Sequence, residues 1–311
     1  MRDSILQTSA LSKAYPSGLA LDKVNMTVRQ GDIYGFIGQN GAGKTTLIRA
    51  VAGLISPTEG EVALFGKSDT KGLGTGRKRI GCIVEGPAFY PKMSAAENLE
   101  YYRIMRGIPD KEAIGRALKT VSLTDTGKKK FQEFSLGMKQ RLGLALAIMG
   151  KPDFLILDEP INGLDPMGIV EFRGILTELN QKQGMTVLIS SHILSELTQV
   201  ATTYGIIHQG RLIKEFSKEQ LEEDTKRCIS VKVEDTAATV VVLEQKLGTK
   251  QFEVLPSGEV RIYDFLDNPS EVAFQLSTNG VRIHSITEIG TNLEDYFLNT
   301  IGADRKGANN E

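Results

Sequence analysis

Residues 32–52 read DIYGFIGQNGAGKTTLIRAVA, an apolar strand pattern that leads through a glycine-rich turn into a helical pattern. The turn, 38–45, matches the P-loop pattern G-x-x-x-x-G-K-[ST], and it stands between a predicted strand and a helix predicted over 46–52, as that motif requires. Glycines let backbone N–H groups turn toward a phosphate, and a helix N-terminus favours negative charge. A chance glycine-rich turn would not need these two flanking elements. The stretch therefore predicts a nucleotide phosphate site in an α/β fold.

The residues of this turn receive roles from the chemistry that each can supply. Lys44 can reach the β- and γ-phosphates of a nucleotide, and the Thr45 hydroxyl can bind Mg²⁺. The residues predicted to bind the nucleotide here are Gly38, Gln39, Asn40, Gly41, Ala42, Gly43, Lys44, Thr45 and Thr46. A nucleotide with β- and γ-phosphates and Mg²⁺ are thus the expected ligands.

A second apolar strand pattern ends in two acidic residues. Residues 154–159 read FLILDE, so Asp158 stands where a buried strand ends and Glu159 follows directly. A carboxylate at the end of such a strand orients Mg²⁺ in P-loop enzymes, which is the role assigned to Asp158. Glu159 can accept a proton from a water that attacks the γ-phosphate. The alternative is that both acids only begin a surface loop.

A histidine and a helix start add two further candidate phosphate contacts. His192 follows the apolar strand 185–191, and ligands of open α/β sheets bind at the carboxyl edge where it would lie. A lone histidine is otherwise most often structural. Ser135 can cap the apolar helix 138–149, which gives a second helix N-terminus able to bind an anion. Because the chain has one P-loop, we expect this second N-terminus to serve another copy of the protein.

The order of apolar runs indicates how the chain is organised. Runs at 32–38, 61–66, 80–84, 153–158 and 185–191 predict a parallel sheet covered on both faces. The alternating segments 5–15 and 22–31 predict antiparallel strands beside it. A helical subdomain is expected over about 86–150. After residue 225 the order β-α-β-β-α-β predicts a split βαβ arrangement. We therefore expect a domain over 1–225, a second over 226–301 and a disordered tail over 302–311.

Composition excludes several classes of protein. The 37 Lys plus Arg residues against 38 Asp plus Glu give a net charge of −1, which argues against binding nucleic acid by bulk electrostatics. No apolar run approaches the roughly 18 residues of a membrane span. The N-terminus has no apolar signal core, and two isolated cysteines indicate no disulfide framework. A membrane role would have to come through a partner.

Over about residues 4–225 these motifs together resemble the nucleotide-binding subunit of an ABC transporter. The resemblance rests on the order of six motifs: Walker A GQNGAGKT, signature FSLGMKQ, Walker B FLILDEP, the D-loop at 162–165, the switch histidine His192 and an aromatic A-loop residue. It implies an α/β P-loop ATPase core with an antiparallel β subdomain and a helical subdomain. It also implies a head-to-tail dimer in which each ATP lies between one Walker A and the partner's signature.

This resemblance implies roles for residues outside the P-loop. Glu159 becomes the general base and His192 the γ-phosphate sensor. The further residues that match nucleotide-contacting positions are Tyr15, Ser135, Gly137, Gln140 and Asp165. Tyr15, in the predicted loop 13–18, would stack on the base, although it could also be an ordinary turn tyrosine. Glu85 stands where the family has the Q-loop glutamine, and it is expected to help orient Mg²⁺ or water.

The sequence departs from the family pattern in the signature and at the Q-loop position, and the second departure points to one branch of the family. Leu136 and Met138 occupy signature positions that are usually glycine, while Ser135 and Gly137 keep the hydroxyl and the close backbone approach. A Glu85 followed by PAFYP and ENL is similar to subunits of bacitracin and lantibiotic resistance or immunity exporters, as is the C-terminal extension.

The expected function is that of an ATPase subunit that drives a separate membrane permease from the cytoplasmic face. It would dock through residues 85–98, where Phe89, Tyr90, Pro91 and Met93 are expected to be partly exposed. Packing of these residues inside the subunit is the alternative. Export of a peptide antibiotic and its release from the membrane are equally compatible with the sequence. The alternative class is a soluble ABC ATPase that acts on ribosomes or nucleic acid, but paired cassettes, coiled coils or zinc modules are not visible.

Overall fold

The nucleotide loop lies at one edge of a sheet of buried strands. The computed structural model describes residues 3–84, 86, 88–290 and 293–307. Up to residue 217 the strands are β1 (Ser4–Tyr15), β2 (Gly18–Arg29), β3 (Ile33–Ile37), β4 (Glu59–Leu64), β5 (Ile80–Ile83), β6 (Phe154–Leu157), β7 (Thr186–Ser191), β8 (Thr203–His208) and β9 (Arg211–Ser217). The helices up to residue 225 are α1 (Lys44–Ala52), α2 (Thr70–Arg77), α3 (Ala95–Met105), α4 (Glu112–Thr120), α5 (Leu136–Ile148), α6 (Pro166–Gln183), α7 (Leu194–Leu197) and α8 (Lys218–Thr225).

The main sheet has six strands in the order β5-β6-β7-β3-β8-β9, all parallel except β9. Every residue of β3, β6 and β7 is buried, which explains their continuous apolar sequences. The order places the carboxyl ends of β6, β7 and β3 side by side. The predicted parallel strands at 32–38, 80–84, 153–158 and 185–191 are confirmed.

Two strands of this sheet were not apparent from the sequence. The hairpin of β8 and β9 turns through Gln209 and Gly210, which both have positive φ angles of 48° and 80°. The strand β9 mixes apolar and charged residues because it is a half-exposed edge strand. Its pattern is therefore less distinctive than that of the central strands.

A second, three-stranded sheet in the order β2-β1-β4 is antiparallel. Strands β1 and β2 confirm the alternating segments predicted as antiparallel. The prediction that 61–66 joins the parallel sheet is wrong, because β4 pairs with β1 instead. In β4 Val62 and Leu64 are buried while Glu59 and Glu61 are exposed, a pattern for one covered face that the sequence reading did not distinguish.

The helical subdomain contains α3, α4 and α5. Ser94 caps α3 in a capping box, in which its hydroxyl accepts from the Glu97 N–H and the Glu97 carboxylate accepts from the Ser94 N–H. Phe89 is buried against the rings of Tyr102 and Phe131, so its predicted partial exposure is wrong. Tyr90 is exposed, as predicted.

The last part of the chain forms a four-stranded antiparallel sheet with two helices. Its elements are β10 (Cys228–Val233), α9 (Thr236–Gln245), β11 (Phe252–Val254), β12 (Glu259–Ile262), α10 (Pro269–Thr278) and β13 (Ile283–Ile289), followed by α11 (Leu293–Gly307). The strand order is β11-β12-β10-β13, and the element order confirms the predicted split βαβ arrangement. The core includes Ile229, Val231, Leu243, Val260 and Leu276.

Contacts divide the chain into two compact units. One comprises the chain through Lys218 together with the end from Thr300, and the other comprises Glu219–Asn299. The sequence predicts the boundary after residue 225, at the other end of α8. The disordered tail over 302–311 stays a prediction, and α11 extends through Gly307. Residues 308–311 lie outside the described residues.

Across the described helices, none combines the length and apolar character that crossing a bilayer requires.

Candidate nucleotide site

The P-loop connects the end of β3 to the start of α1, and its glycines are required by its geometry. A Cβ at Gly38 would lie 2.6 Å from the carbonyl oxygen of Ile207, and one at Gly43 would lie 2.7 Å from the carbonyl oxygen of Ala20. Gly43 caps α1 with a φ of 113°, which L side chains rarely adopt. The Gly38 N–H also donates to the Ser191 carbonyl, which ties the loop to β7.

Lys44 is buried beneath the loop and bridges it to Glu159, which follows β6. Its Nζ donates to the carbonyl oxygens of Gly38 at 2.5 Å and Gln39 at 3.2 Å. The same Nζ lies 3.0 Å from Oε1 of Glu159. The Lys44 amine is therefore held between P-loop carbonyls and the carboxylate that follows β6.

A hydroxyl and a carboxylate meet beside Lys44. Thr45 Oγ1 donates to Oδ2 of Asp158 at 2.7 Å, and Ser190 Oγ donates to Oδ1 of the same carboxylate at 2.7 Å. The Ser190 hydroxyl in turn accepts from the Glu159 N–H at 2.9 Å. One serine of β7 thus fixes both acids that follow β6.

Glu159 lies in a strained backbone conformation between Lys44 and His192. Its φ is 48°, which is uncommon for a residue other than glycine and costs on the order of 1 kcal/mol. Its Oε2 lies 2.8 Å from Nδ1 of His192. The two side chains are 21% and 31% exposed, so they are partly open to water. Strain of this kind is concentrated at functional sites.

A cavity of about 180 Å³ opens over the loop. Its lining residues are Ala20, Asn40, Gly41, Gly43, Lys44, Thr45, Thr46 and Glu159. Within the described residues no three His, Cys, Asp or Glu side chains come together as a metal cluster. The pair Thr45 and Asp158 still fits Mg²⁺, because this ion typically takes one or two carboxylates and completes its shell with phosphate oxygens and water.

The signature residues Ser135, Gly137 and Gln140 lie at the start of α5, and they are not among the residues that line this cavity. Ser135 caps the helix by accepting from the Met138 N–H at 3.3 Å, as predicted. Leu136 is half exposed and a Cβ added to Gly163 would lie 3.2 Å from its Cδ2. The signature and the D-loop are therefore adjacent.

Three other predicted site residues have distinct positions. Asp165 caps α6 by accepting from the Gly168 N–H at 2.9 Å. Tyr15 is the last residue of β1, so its predicted loop position is wrong, because it pairs with Gly18 across the hairpin. Its ring is 38% exposed. Glu85 lies outside the described residues.

Cys82, in β5 beside the Walker B strand, is chemically quiet. Burial raises the pKa of its thiol from 9.0 to about 12, and the nearby Asp158 carboxylate adds to the shift. The thiol is therefore protonated at neutral pH and packs as a small apolar group.

Sequence reasoning missed the connecting role of Ser190 and the wall formed by Ala20. Ser190 has a signal in the sequence, because it is a polar residue at the carboxyl end of an otherwise apolar strand. Ala20 has none, since it belongs to a different sheet and reaches the loop only through the tertiary fold.

The chain is similar to ATP-binding proteins of ABC transporters. Residues 21–162 match the ABC transporter family. The chain is 42% identical to the bacitracin transport ATP-binding protein BcrA of Bacillus licheniformis, over 96% of this chain and 98% of that protein. It is 41% identical to the lantibiotic transport ATP-binding protein SrtF of Streptococcus pyogenes, over 70% of this chain and 95% of that protein. The similarity to SrtF therefore covers only part of this chain and nearly all of that protein.

A solved structure shares the same architecture. CbiO1 of Clostridium perfringens, part of the ABC transporter complex CbiONQ, superposes with a TM-score of 0.65 at 26% identity. The match covers 79% of this chain and 97% of that one.

Proposed function

Since the chain belongs to the ATP-binding subunits of ABC transporters, whose reaction is ATP hydrolysis, we propose that the network joining Lys44, Glu159 and His192 performs that reaction here. The observation that carries this proposal is the meeting of P-loop, Walker B and switch-histidine side chains within hydrogen-bond distance. Each comes from a different element at the carboxyl edge of one sheet, where α/β proteins bind ligands.

The phosphates would be bound by the P-loop backbone and by Lys44. The amine lies against P-loop carbonyls and can move to the β- and γ-phosphates with little change in the loop. Thr45 and Asp158 would hold Mg²⁺, which when bound neutralises phosphate charge. Tyr15 would stack on the base, and Glu85, at the position of the family's Q-loop glutamine, would help orient Mg²⁺ or water.

Glu159 would act as general base toward the attacking water. With Nδ1 protonated, His192 donates to one carboxylate oxygen and keeps the other oriented. Ser190 holds the peptide N–H of Glu159 and so sets the position of the side chain. The base is therefore positioned from both its backbone and its carboxylate before any nucleotide arrives.

A dimer would complete each site. Ser135, Gly137 and Gln140 stand at an exposed helix N-terminus away from the lining of their own P-loop cavity. Such a terminus binds anions well. We infer that it contacts the γ-phosphate held by a second subunit, with Asp165 beside the junction.

The transported substrate is proposed to be a peptide antibiotic such as bacitracin or a lantibiotic. The support is the 42% identity to a bacitracin transport ATP-binding protein over 96% of this chain, which includes the C-terminal unit. The permease would dock near exposed Tyr90, whose ring packs on that of Tyr101 at 4.9 Å between centroids. The subunit would act at the cytoplasmic face of the membrane.

The test is purification of tagged Glu159→Gln protein with ATP from detergent-solubilised cells of its host. A polytopic membrane protein should co-purify, and the same preparation from Lys44→Ala cells should retain less of it. Ribosomes or DNA without a membrane protein would overturn the transporter proposal in favour of a soluble ATPase.

The substrate has its own test. Deleting the gene should lower the inhibitory concentration of bacitracin or of a lantibiotic, and the wild-type gene should restore it while Lys44→Ala does not. Unchanged sensitivity to both classes of peptide would contradict the proposed substrate.

A further inference from the structure

The C-terminal unit exposes one long sheet edge. In the order β11-β12-β10-β13, the two outer strands differ in length: β11 has three residues and β13 has seven. Natural proteins limit pairing at sheet edges by keeping edge strands short or charged. The β13 edge is long, and all its residues from His284 to Ile289 are exposed.

Apolar surface accompanies this edge. Ile286 and Ile289 of β13 are 37% and 40% exposed. A groove of about 240 Å³ runs between β13 and α10, and Ile229, Ala273 and Ile286 are among its lining residues. Phe274 of α10 is 62% exposed. An apolar rim therefore lies beside unpaired backbone.

The sequence of β13 is self-complementary. Residues 283–289 read IHSITEI, which is symmetric in character about Ile286. If a second copy is paired antiparallel with Ile286 on the two-fold axis, Ser285 faces Thr287 and His284 faces Glu288. Hydroxyl pairs and pairs of a carboxylate with an imidazole N–H are favourable cross-strand neighbours.

The ladder with β10 limits which residues can take part. Regular pairing covers Ser285–Ile289, and a register shift produces a bulge at the His284 end. Glu288 already lies 3.6 Å from Arg227 at the surface, and it retains free acceptor capacity. The regular segment 285–289 is centred on Thr287, so an axis at Ile286 leaves Ser285, Ile286 and Thr287 in regular pairing on both strands and places the pair of His284 and Glu288 at the bulge.

We propose that β13 pairs with β13 of a second copy, so that the C-terminal units of two subunits join in one continuous eight-stranded antiparallel sheet. An isologous contact of this kind is the simplest two-fold interface. The occupant is a copy of the same strand because the sequence matches itself in register, charge and hydroxyl pattern.

The ATPase dimer would stabilise this contact by holding the two strands near each other, and in that respect the contact rests on the proposed function. A single strand pair is smaller than a standard stable interface of about 1,600 Å². Two subunits already joined elsewhere present such a strand at an effective concentration on the order of millimolar. The pairing would then keep subunits together when nucleotide is released.

The test is cysteine cross-linking of the full chain in a Cys82→Ala, Cys228→Ala background. Removal of Cys228 is needed because it pairs directly with Ile289. Ile286→Cys should form a disulfide with its own copy, since opposite Cβ atoms lie about 4.5–5.5 Å apart. Mixed Ser285→Cys and Thr287→Cys proteins should also cross-link.

Ile289→Cys is the matched control. Its own copy would lie six residues away along the partner strand, about 20 Å, so it should not cross-link. Adding His284→Glu to Ile286→Cys should reduce cross-linking at least fivefold, and adding Glu288→Lys as well should restore it. Equal cross-linking at 286 and 289, or capture of a different protein at 286, would overturn the proposal.

Experiments with and without ATP distinguish the strand pairing from the ATP-dependent dimer. The Glu159→Gln protein should form a dimer with ATP on gel filtration, and the Ile286 cross-link should form rapidly with ATP and more slowly without it. Failure of the cross-link in a protein that dimerises with ATP overturns the strand pairing alone. A cross-link in a protein that never dimerises with ATP supports the pairing and contradicts the shared ATP site.

Discussion

At the scale of single residues, Glu159 combines a strained backbone with three anchoring contacts. Its N–H binds Ser190, one carboxylate oxygen faces Lys44 and the other faces His192. A residue that only began a surface loop would not need this conformation. The side chain is 21% exposed, and its Oε1 is buried against Lys44.

Replacing Glu159 by Gln should lower the rate of phosphate release by about 10²–10⁴-fold, the usual contribution of a general base. ATP affinity should remain, because Lys44 and the P-loop are unchanged. The measurements are steady-state phosphate release and equilibrium ATP binding. Glu178→Gln, which removes an exposed charge paired with Lys182, is the control and should leave turnover unchanged. Brisk turnover of Glu159→Gln would remove this residue as the base.

Ser190→Ala should lower both the free energy of unfolding and the apparent affinity for Mg²⁺. It leaves the buried Asp158 oxygen Oδ1 and the Glu159 N–H without their serine partner, which costs about 1–3 kcal/mol. Denaturant unfolding should detect this loss, and the Mg²⁺ concentration for half-maximal turnover should rise. Exposed Ser195→Ala is the comparison. Wild-type values for Ser190→Ala in both assays would contradict the bridging role.

The partly buried thiol of Cys82 should make the free energy of unfolding depend on alkaline pH. Since the folded-state pKa is raised from 9.0 to about 12, the folded chain binds the proton more tightly than the unfolded chain. This contribution is full below pH 9 and falls by up to about 1.4 kcal/mol per pH unit above it. Urea unfolding of wild type and Cys82→Ala from pH 8 to 11 isolates it. Parallel curves for the two proteins would contradict the burial of the thiol.

At the scale of elements, the start of α5 combines a helix cap with the proposed phosphate contact, and a comparison of two helix caps can separate these roles. Ser135 caps α5 and Asp235 caps α9 with similar side-chain bonds of 3.3 and 3.0 Å. Loss of either cap costs about 0.5–2 kcal/mol of stability. Only the α5 terminus belongs to the proposed phosphate contact.

Ser135→Ala and Asp235→Ala should therefore lower the unfolding midpoint by similar amounts. Ser135→Ala should also reduce turnover more than tenfold, because a charge-assisted hydrogen bond to phosphate is lost. Paired unfolding and phosphate-release assays check this. If turnover falls equally in the two variants, Ser135 acts as a helix cap only.

At the scale of the whole molecule, the position of the signature is the basis of the proposal that two chains share each site. A mixture of Lys44→Ala and Ser135→Ala proteins tests this arrangement. In a mixed head-to-tail dimer, one site carries both changes and the other carries neither. With equal amounts, about half of the dimers are mixed by random association in a two-fold assembly.

The mixture should hydrolyse ATP measurably faster than either variant alone at the same total concentration. The controls are the two variants assayed separately, each diluted in the same way and at the same total concentration. If Ser135 served the P-loop of its own chain, every site in the mixture would carry one change and the rate would not recover.

Local sequence patterns predicted the features that lie within a single segment of the chain. The P-loop, both Walker B acids and His192 were predicted from sequence because each follows a continuous apolar strand, and parallel strands bring their carboxyl ends to one edge. The order of elements in the C-terminal unit also follows from sequence, because the hydrophobic period changes clearly from two residues in its strands to 3.6 residues in its helices.

The sequence by itself thus determined the chemistry of the site, since a local motif fixes its own turn and its own phosphate-facing amides. Only the tertiary structure decided the pairing of β4 with β1, the burial of Phe89, the bridge through Ser190 and the wall at Ala20. These depend on contacts between segments far apart in the chain, and such contacts leave no local periodicity. Register and packing set them, and both are properties of the assembled fold.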